Sequence, residues 1–161
     1  ATGQDSIHNG LVALDDLPEP PAADDVVLVH DGVRPLIDCK TISTCIASVV
    51  ENGCTTVTAP VTETVVIVQD ESVQTVVDRS KCRLARAPQG FRFGELKEAH
   101  EKARSEGCRN AIDSVSLMAR YGYRIYAVPG PEENIKITTP RDFFAFKSFM
   151  DMKEVAQIWE P

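Results

Sequence analysis

Residues 26–35 read VVLVHDGVRP, and this stretch indicates both the fold and a candidate site. Val26 to His30 form a short apolar run with the composition of a buried strand. Asp31, Gly32 and Arg34 follow it directly. In sheets built mainly of parallel strands, ligands bind at the carboxyl ends of the strands. The polar side chains after this run are therefore candidates for a binding site.

The composition indicates one globular domain. The chain has 161 residues, 43% of them hydrophobic and 25% charged, and a formal net charge of −7. It has no basic excess to neutralise nucleic-acid phosphates, and its apolar runs are too short to cross a bilayer. Neither nucleic acid nor a membrane is expected as a partner. The five cysteines form no CxxC pair, which favours reduced thiols in a cytoplasm over a disulfide framework or a zinc site.

Along the chain, short apolar runs alternate with segments of helical period, which predicts an α/β domain with a largely parallel sheet. The segments with an apolar helical face are 6–14, 41–50, 93–105, 113–121 and a last one beginning after Thr139. Further strands are expected at CTTVTAP, RIYAVPG and NIKIT. The β-branched stretch TVVIVQDESVQTVV predicts a hairpin, in an arm of about residues 60–90. Such a projecting hairpin often pairs with a partner chain.

Asp31 and Arg34 have two interpretations. The carboxylate of Asp31 suits Mg²⁺, the guanidinium of Arg34 suits a phosphate, and Gly32 leaves room for a ligand. A structural ion pair at the end of the strand explains the same residues equally well. Lys136, in ENIKITTP, is either a phosphate-binding charge or a solvated strand lysine.

Two further segments are weaker candidates. Arg79, Arg83 and Arg86 add positive charge ahead of a turn predicted at residues 88–90, although a basic surface explains them almost as well. Thr64 lies at the base of the arm, where a hydroxyl suits phosphate but threonine is also an ordinary strand residue. GxSxG, HExxH and P-loop motifs do not occur, which weighs against hydrolases and metalloproteases.

Six blocks, taken in order, resemble the cytidylyltransferases of the methylerythritol-phosphate type and their relatives that act on ribitol 5-phosphate. These blocks are LVHDGVRPLI, APVTETV, VVDRS, APQGFR, DSVSLMARYG and ENIKITTPRDF. The resemblance implies a Rossmann-like nucleotidyltransferase fold with a projecting β-arm. It also implies transfer of CMP from CTP to an alditol phosphate, release of pyrophosphate, a Mg²⁺ cofactor and a homodimer formed through the arm.

The resemblance also implies roles for individual residues. The catalytic residues would be Asp31, Arg34 and Lys136, and Asp31 would also be the Mg²⁺ ligand. Gly32 and Ser6 would bind the nucleotide. The acceptor would be bound by Thr64, Asp113 and Arg79, the last of them reaching the partner's site from the arm.

Some positions depart from the family pattern. Ala87 and Ile112 stand where threonine is common, and Gly3 stands where many relatives carry arginine, which leaves the acceptor open. The family's N-terminal strand and Gly-rich triphosphate loop are not found in these 161 residues. The chain is therefore expected to be the C-terminal two-thirds of one partial nucleotidyltransferase domain and to have no appreciable activity by itself. Two alternatives stay open: a non-catalytic dimerisation or binding module, and a sugar-phosphate nucleotidyltransferase using another NTP.

Overall fold

The computed structural model describes residues 2–159, with side chains up to Val155. The elements in this part of the chain are α1 (Gly3–Asp15), β1 (Val26–Val29), α2 (Cys39–Asn52), β2 (Thr55–Pro60), β3 (Val66–Gln69), β4 (Ser72–Val76), β5 (Arg83–Arg92), α3 (Phe93–Ser105), α4 (Ser114–Arg120), β6 (Tyr126–Pro129) and α5 (Pro140–Trp159). Among the helices described, none is both long enough and apolar enough to span a membrane.

The main sheet has four strands in the order β1-β5-β2-β6. β1, β2 and β6 run in one direction, because β1 and β2 are both antiparallel to β5 and β6 is parallel to β2. The predicted α/β fold with mostly parallel strand directions is confirmed. β5 is the exception that the sequence pattern did not predict.

Helices cover both faces of this sheet. α2 packs closely on one face at Gly90 of β5, where an added Cβ would lie 2.5 Å from the Val49 side chain. The next residue of the strand, Phe91, points to the opposite face because side chains alternate along a strand. Phe91 is fully buried in an apolar core with residues of α1, α3 and α4, such as Leu11, Leu96 and Leu117.

The helix ends follow local signals. α3 has the predicted bounds, α2 ends at Gly53 with φ +86°, and Asp113 caps α4 by accepting a hydrogen bond from the Ser116 N–H at 2.8 Å. α1 begins at Gly3, three residues earlier than predicted, because Thr2 and Asp5 form a capping box. The final helix begins at Pro140 as expected.

The predicted hairpin is confirmed and forms a separate two-stranded sheet of β3 and β4. Its turn residues, Asp70 and Glu71, have φ of +47° and +64°. Its apolar side chains are 41–64% exposed in the single chain, on both strands. The arm is shorter than expected, because residues from Arg83 onward pair with β2 as part of β5.

Two predicted elements are wrong. NIKIT is not a strand: the segment is tied to the loop after β1 through a backbone hydrogen bond from Ile137 N–H to the Val33 carbonyl (2.9 Å) but pairs with no strand described here. Residues 88–90 do not form a turn but lie inside β5. The register with β2 passes from Arg86 to Gln89, so Pro88, which has no N–H, sits at a bulge where it needs no partner.

Candidate functional site

Two loops, at the carboxyl ends of β1 and β6, bring three charged residues into contact. The loop after β1 carries Asp31 and Arg34, and the loop after β6 carries Lys136. Arg34 Nε donates to Asp31 Oδ2 at 2.9 Å, and Lys136 Nζ donates to Asp31 Oδ1 at 2.9 Å. Both oxygens of one carboxylate are therefore paired with cations from loops more than a hundred residues apart.

Asn134 fixes the second loop. Its side chain is fully buried, and its Nδ2 donates to the carbonyl oxygen of Ala87 in β5 at 2.7 Å. The backbone carbonyl oxygen of Asn134 accepts a hydrogen bond from Arg34 Nη1 at 2.9 Å. Arg34 is only 11% exposed, so its guanidinium is held between the two loops, whereas Lys136 is 46% exposed.

The charged side chains at these carboxyl ends are mainly positive. Partial burial would raise the pKa of Asp31, but the hydrogen bonds from Arg34 and Lys136 outweigh burial, and the pKa is lowered. Arg86 lies nearby and donates to the Glu132 carbonyl at 2.8 Å. Burial, and then repulsion from Arg34, lower the pKa of Arg86, while Glu132 and Glu133 act in the opposite direction. We call Asp31, Arg34, Arg86 and Lys136 the cationic corner.

The cationic corner lines a cavity of about 310 Å³. This volume is within the range of small-molecule sites. Other parts of the wall come from α1, α3, α4 and the loop before α4. The three positions that depart from the family pattern, Gly3, Ala87 and Ile112, all line this same cavity.

The predicted site residues fall into two groups. Asp31, Arg34, Lys136 and Asp113 line the cavity, and Asp113 accepts a hydrogen bond from Gln89 Nε2 at 2.8 Å. The remaining four are exposed and are not among the described residues of the cavity wall: Ser6, Gly32, Thr64 and Arg79.

The second group is placed in three different ways. Gly32 adjoins Asp31, and a Cβ there would meet no atom within 4 Å. Ser6 lies on α1, where its hydroxyl donates to the Thr2 carbonyl at 3.3 Å. Thr64 precedes the hairpin and Arg79 follows it, with the Arg79 guanidinium donating to the Thr62 carbonyl at 2.6 Å. Thr64 and Arg79 therefore belong to the base of the arm.

The carboxylate of Asp31 is the metal-binding candidate of the cationic corner. No group of three or more His, Cys, Asp or Glu side chains that could enclose a metal occurs among the residues described. Mg²⁺ commonly takes one or two carboxylates and fills its other positions with phosphate oxygens and water. Asp31 is 33% exposed on the cavity wall and suits this one-carboxylate arrangement, provided that substrate phosphates supply further oxygens.

Three polar residues of the site are not predicted as site residues by the sequence. The sequence pattern does not single out Asn134 in ENIKITTP or His100 in the helical segment 93–105, and it predicts a turn at Gln89. All three are buried. The only sequence signal for such residues is a polar side chain within a segment of apolar period. This signal indicates a buried polar group but not its hydrogen-bond partner.

A sequence model of the family described as IspD, 2-C-methyl-D-erythritol 4-phosphate cytidylyltransferase, matches residues 1–152. The chain belongs to this family. A ribitol-5-phosphate cytidylyltransferase from Vibrio parahaemolyticus is 46% identical over 98% of this chain and 66% of its own length. A 2-C-methyl-D-erythritol 4-phosphate cytidylyltransferase from Bacillus pumilus is 36% identical over 92% of this chain and 62% of its own length.

Solved structures of this cytidylyltransferase family share the fold. The synthase from Anaerococcus prevotii superimposes with a TM-score of 0.82 at 27% identity, covering 93% of this chain and 65% of that one. The enzyme from Thermus thermophilus gives 0.77 at 30% identity, over 92% and 69%. The predicted Rossmann-like nucleotidyltransferase fold is confirmed.

Two narrower expectations are not supported by these comparisons. The family match extends over nearly the whole chain, so it does not single out a C-terminal two-thirds. The expected inactivity of the isolated chain is not borne out either, since the relatives are named as cytidylyltransferases. The chain spans slightly less than two-thirds of the length of the curated relatives it matches, 66% of the Vibrio protein for example.

Proposed function

We propose that the whole protein transfers CMP from CTP to an alditol phosphate, and that ribitol 5-phosphate is the acceptor. The observation that carries the proposal is the cationic corner on a cavity of suitable size, in a chain of the cytidylyltransferase family. The choice of acceptor is supported by 46% identity to ribitol-5-phosphate cytidylyltransferases, against 36% for a methylerythritol-phosphate relative.

In the proposed reaction, an oxygen of the acceptor phosphate attacks the α-phosphorus of CTP. A new P–O bond forms as the bond from the α-phosphorus to the oxygen bridging the β-phosphorus breaks, and its electron pair leaves with pyrophosphate. Catalysis then depends on positioning and on neutralising charge. Arg34 suits a fixed contact because its guanidinium is already held in place. Lys136 is more exposed, and its ammonium group would leave Asp31 and donate to a phosphate oxygen instead.

Asp31 is the residue we propose to hold Mg²⁺. When bound there, Mg²⁺ would neutralise negative charge on the triphosphate. In the same proposal Gly32 leaves space beside the nucleotide, Ser6 contacts it, and Asp113 lies on the acceptor side of the cavity.

The arm supports a homodimer. The apolar side chains of β3 and β4 are largely exposed in the single chain, and a two-stranded hairpin is marginally stable unless it packs on something. We propose that a second copy covers it, which would place Thr64 and Arg79 near the partner's acceptor site. The free cysteines, three of them buried, agree with a reducing compartment such as the cytoplasm.

The proposed function is tested with the full-length gene product, Mg²⁺ and a panel of substrates. Pyrophosphate release is measured with CTP, UTP, ATP and GTP against ribitol 5-phosphate and methylerythritol 4-phosphate. We expect the highest kcat/KM for CTP with ribitol 5-phosphate, and CDP-ribitol by mass spectrometry. Preference for another NTP would favour a different sugar-phosphate nucleotidyltransferase. No release with any pair would favour a non-catalytic module.

A further inference from the structure

Two buried polar side chains on the cavity wall have no hydrogen-bond partner in the part of the chain described. His100 of α3 is 1% exposed and both of its ring nitrogens are unpaired. Ser114, the first residue of α4, is 2% exposed and its hydroxyl is unpaired. Both residues line the cavity. Leaving such groups unsatisfied is unfavourable, and nearly all buried polar groups in proteins have a partner.

The other uncharged polar side chains of the wall are already engaged. Gln4 donates to the Cys108 carbonyl at 2.9 Å and accepts from the Ala111 N–H at 3.2 Å. Gln89 donates to Asp113 and accepts from the Val115 N–H at 3.3 Å. These amides have a structural role. Among the uncharged polar side chains of the wall, His100 and Ser114 are therefore the two that can form a new hydrogen bond.

The protonation state of His100 limits what it can bind. Burial, followed by the proximity of His8, lowers the pKa of His100 to about 4. The ring centroid of His8 lies 6.4 Å away. At neutral pH the His100 imidazole is therefore uncharged, with one donor and one acceptor nitrogen. The Ser114 hydroxyl also donates and accepts. An alcohol hydroxyl matches both groups, whereas an anion finds no positive charge there.

The cavity wall therefore offers two kinds of binding group. The cationic corner supplies Arg34, Arg86 and Lys136, which suit a phosphate, and His100 and Ser114 supply two uncharged groups that suit hydroxyls. We infer that His100 and Ser114 form a subsite for the hydroxyl groups of a polyol chain whose phosphate lies at the cationic corner. The inference rests on the proposed function for the class of acceptor, and it makes these two residues determinants of acceptor specificity.

The test measures KM separately for the two substrates in the full-length gene product. His100→Leu and Ser114→Ala are compared with Ser105→Ala, whose hydroxyl is exposed at the end of α3 and bonds only to the Lys102 carbonyl. We expect each subsite variant to raise KM for ribitol 5-phosphate about tenfold, the effect of losing one hydrogen bond, with KM for CTP changed less than about twofold. An unchanged acceptor KM in both variants, or an equal change for CTP, would overturn the inference.

Stability distinguishes a binding role from a structural role. Because the Ser114 hydroxyl has no partner, Ser114→Ala should not lower the free energy of unfolding of the ligand-free protein. A clear loss of stability would show that Ser114 is structural and would contradict the subsite. Ser114→Ala also keeps the test decisive if His100→Leu fails to fold.

Binding separates this inference from the proposed function. The shift in melting temperature is recorded with ribitol 5-phosphate and with inorganic phosphate. The subsite predicts that both variants show a smaller shift than wild type with ribitol 5-phosphate and keep the wild-type shift with phosphate. Polyol-dependent binding without CMP transfer would refute the proposed function and leave the subsite standing. CMP transfer with wild-type kinetics in both variants would refute the subsite alone.

Discussion

Replacing Asn134 with alanine tests whether this residue holds the site together. The side chain is fully buried, and its amide donates to the Ala87 carbonyl at 2.7 Å. Asn134→Ala removes that bond and leaves a buried carbonyl without a partner, at a cost of roughly 1–3 kcal/mol. Asn134 Oδ1, which has no partner among the described residues, disappears as well and offsets part of the cost. We expect a net loss of about 2 kcal/mol, or about 4–8 °C in Tm for a domain of this size.

Urea unfolding followed by far-UV circular dichroism measures this loss directly. The control is Asn9→Ala, at an exposed position of α1, where we expect a change within about 0.5 kcal/mol. Asn134→Ala should also lower kcat/KM in the full-length gene product, because Arg34 and Lys136 are aligned by the loop that Asn134 fixes. If Asn134→Ala unfolds like Asn9→Ala, the loop is held by something else and the reasoning fails.

Three further predictions use other parts of the structure. The pKa of His100 is about 4 in the folded protein, below its ordinary value of 6.5, so the unfolded chain takes up this proton first as pH falls. The free energy of unfolding should therefore drop by about 3 kcal/mol between pH 6.5 and pH 4, and most of this drop should be absent in His100→Leu. A thiol reagent should label the exposed Cys39 in the native protein. It should react with Cys45 and Cys54 only after unfolding, because burial shields these thiols and raises their pKa values to about 11 and 12. Ile67→Lys, at a half-exposed position of the arm, should shift the proposed dimer toward monomer in analytical ultracentrifugation; an unchanged mass would place the interface elsewhere.

Much of the fold was predictable because the signals are local. The apolar period gave α3 its bounds, and the acidic N-cap at Asp113 marked the start of α4. β5 was missed for a physical reason: Pro88 and Gly90 are typical of turns, and only the neighbouring strand and helix explain them inside a strand. Pro88 sits at a bulge, and Gly90 leaves room for α2. Both explanations require tertiary contacts that a local pattern does not contain.

The site was predictable only in part for a similar reason. Asp31 and Arg34 are three residues apart, so an ion pair between them was one of two open interpretations, and the pair does form. The contact of Asp31 with Lys136 joins loops 105 positions apart, and spacing alone does not indicate it. The pattern of NIKIT predicted a strand around Lys136, because it does not indicate that the segment lacks a strand partner.

Asp31→Asn in the full-length gene product tests the central claim most directly. Its matched control is Asp15→Asn: Asp15 is 32% exposed against 33% for Asp31, and it too pairs with a lysine, Lys97, at 2.6 Å, but it lies outside the cavity wall. With CTP, ribitol 5-phosphate and Mg²⁺, we predict that Asp31→Asn lowers kcat/KM about a hundredfold, as expected for loss of a preorganised charge, while Asp15→Asn stays near wild type. Equal kcat/KM values in the two variants would contradict the assignment of the cationic corner as the catalytic site.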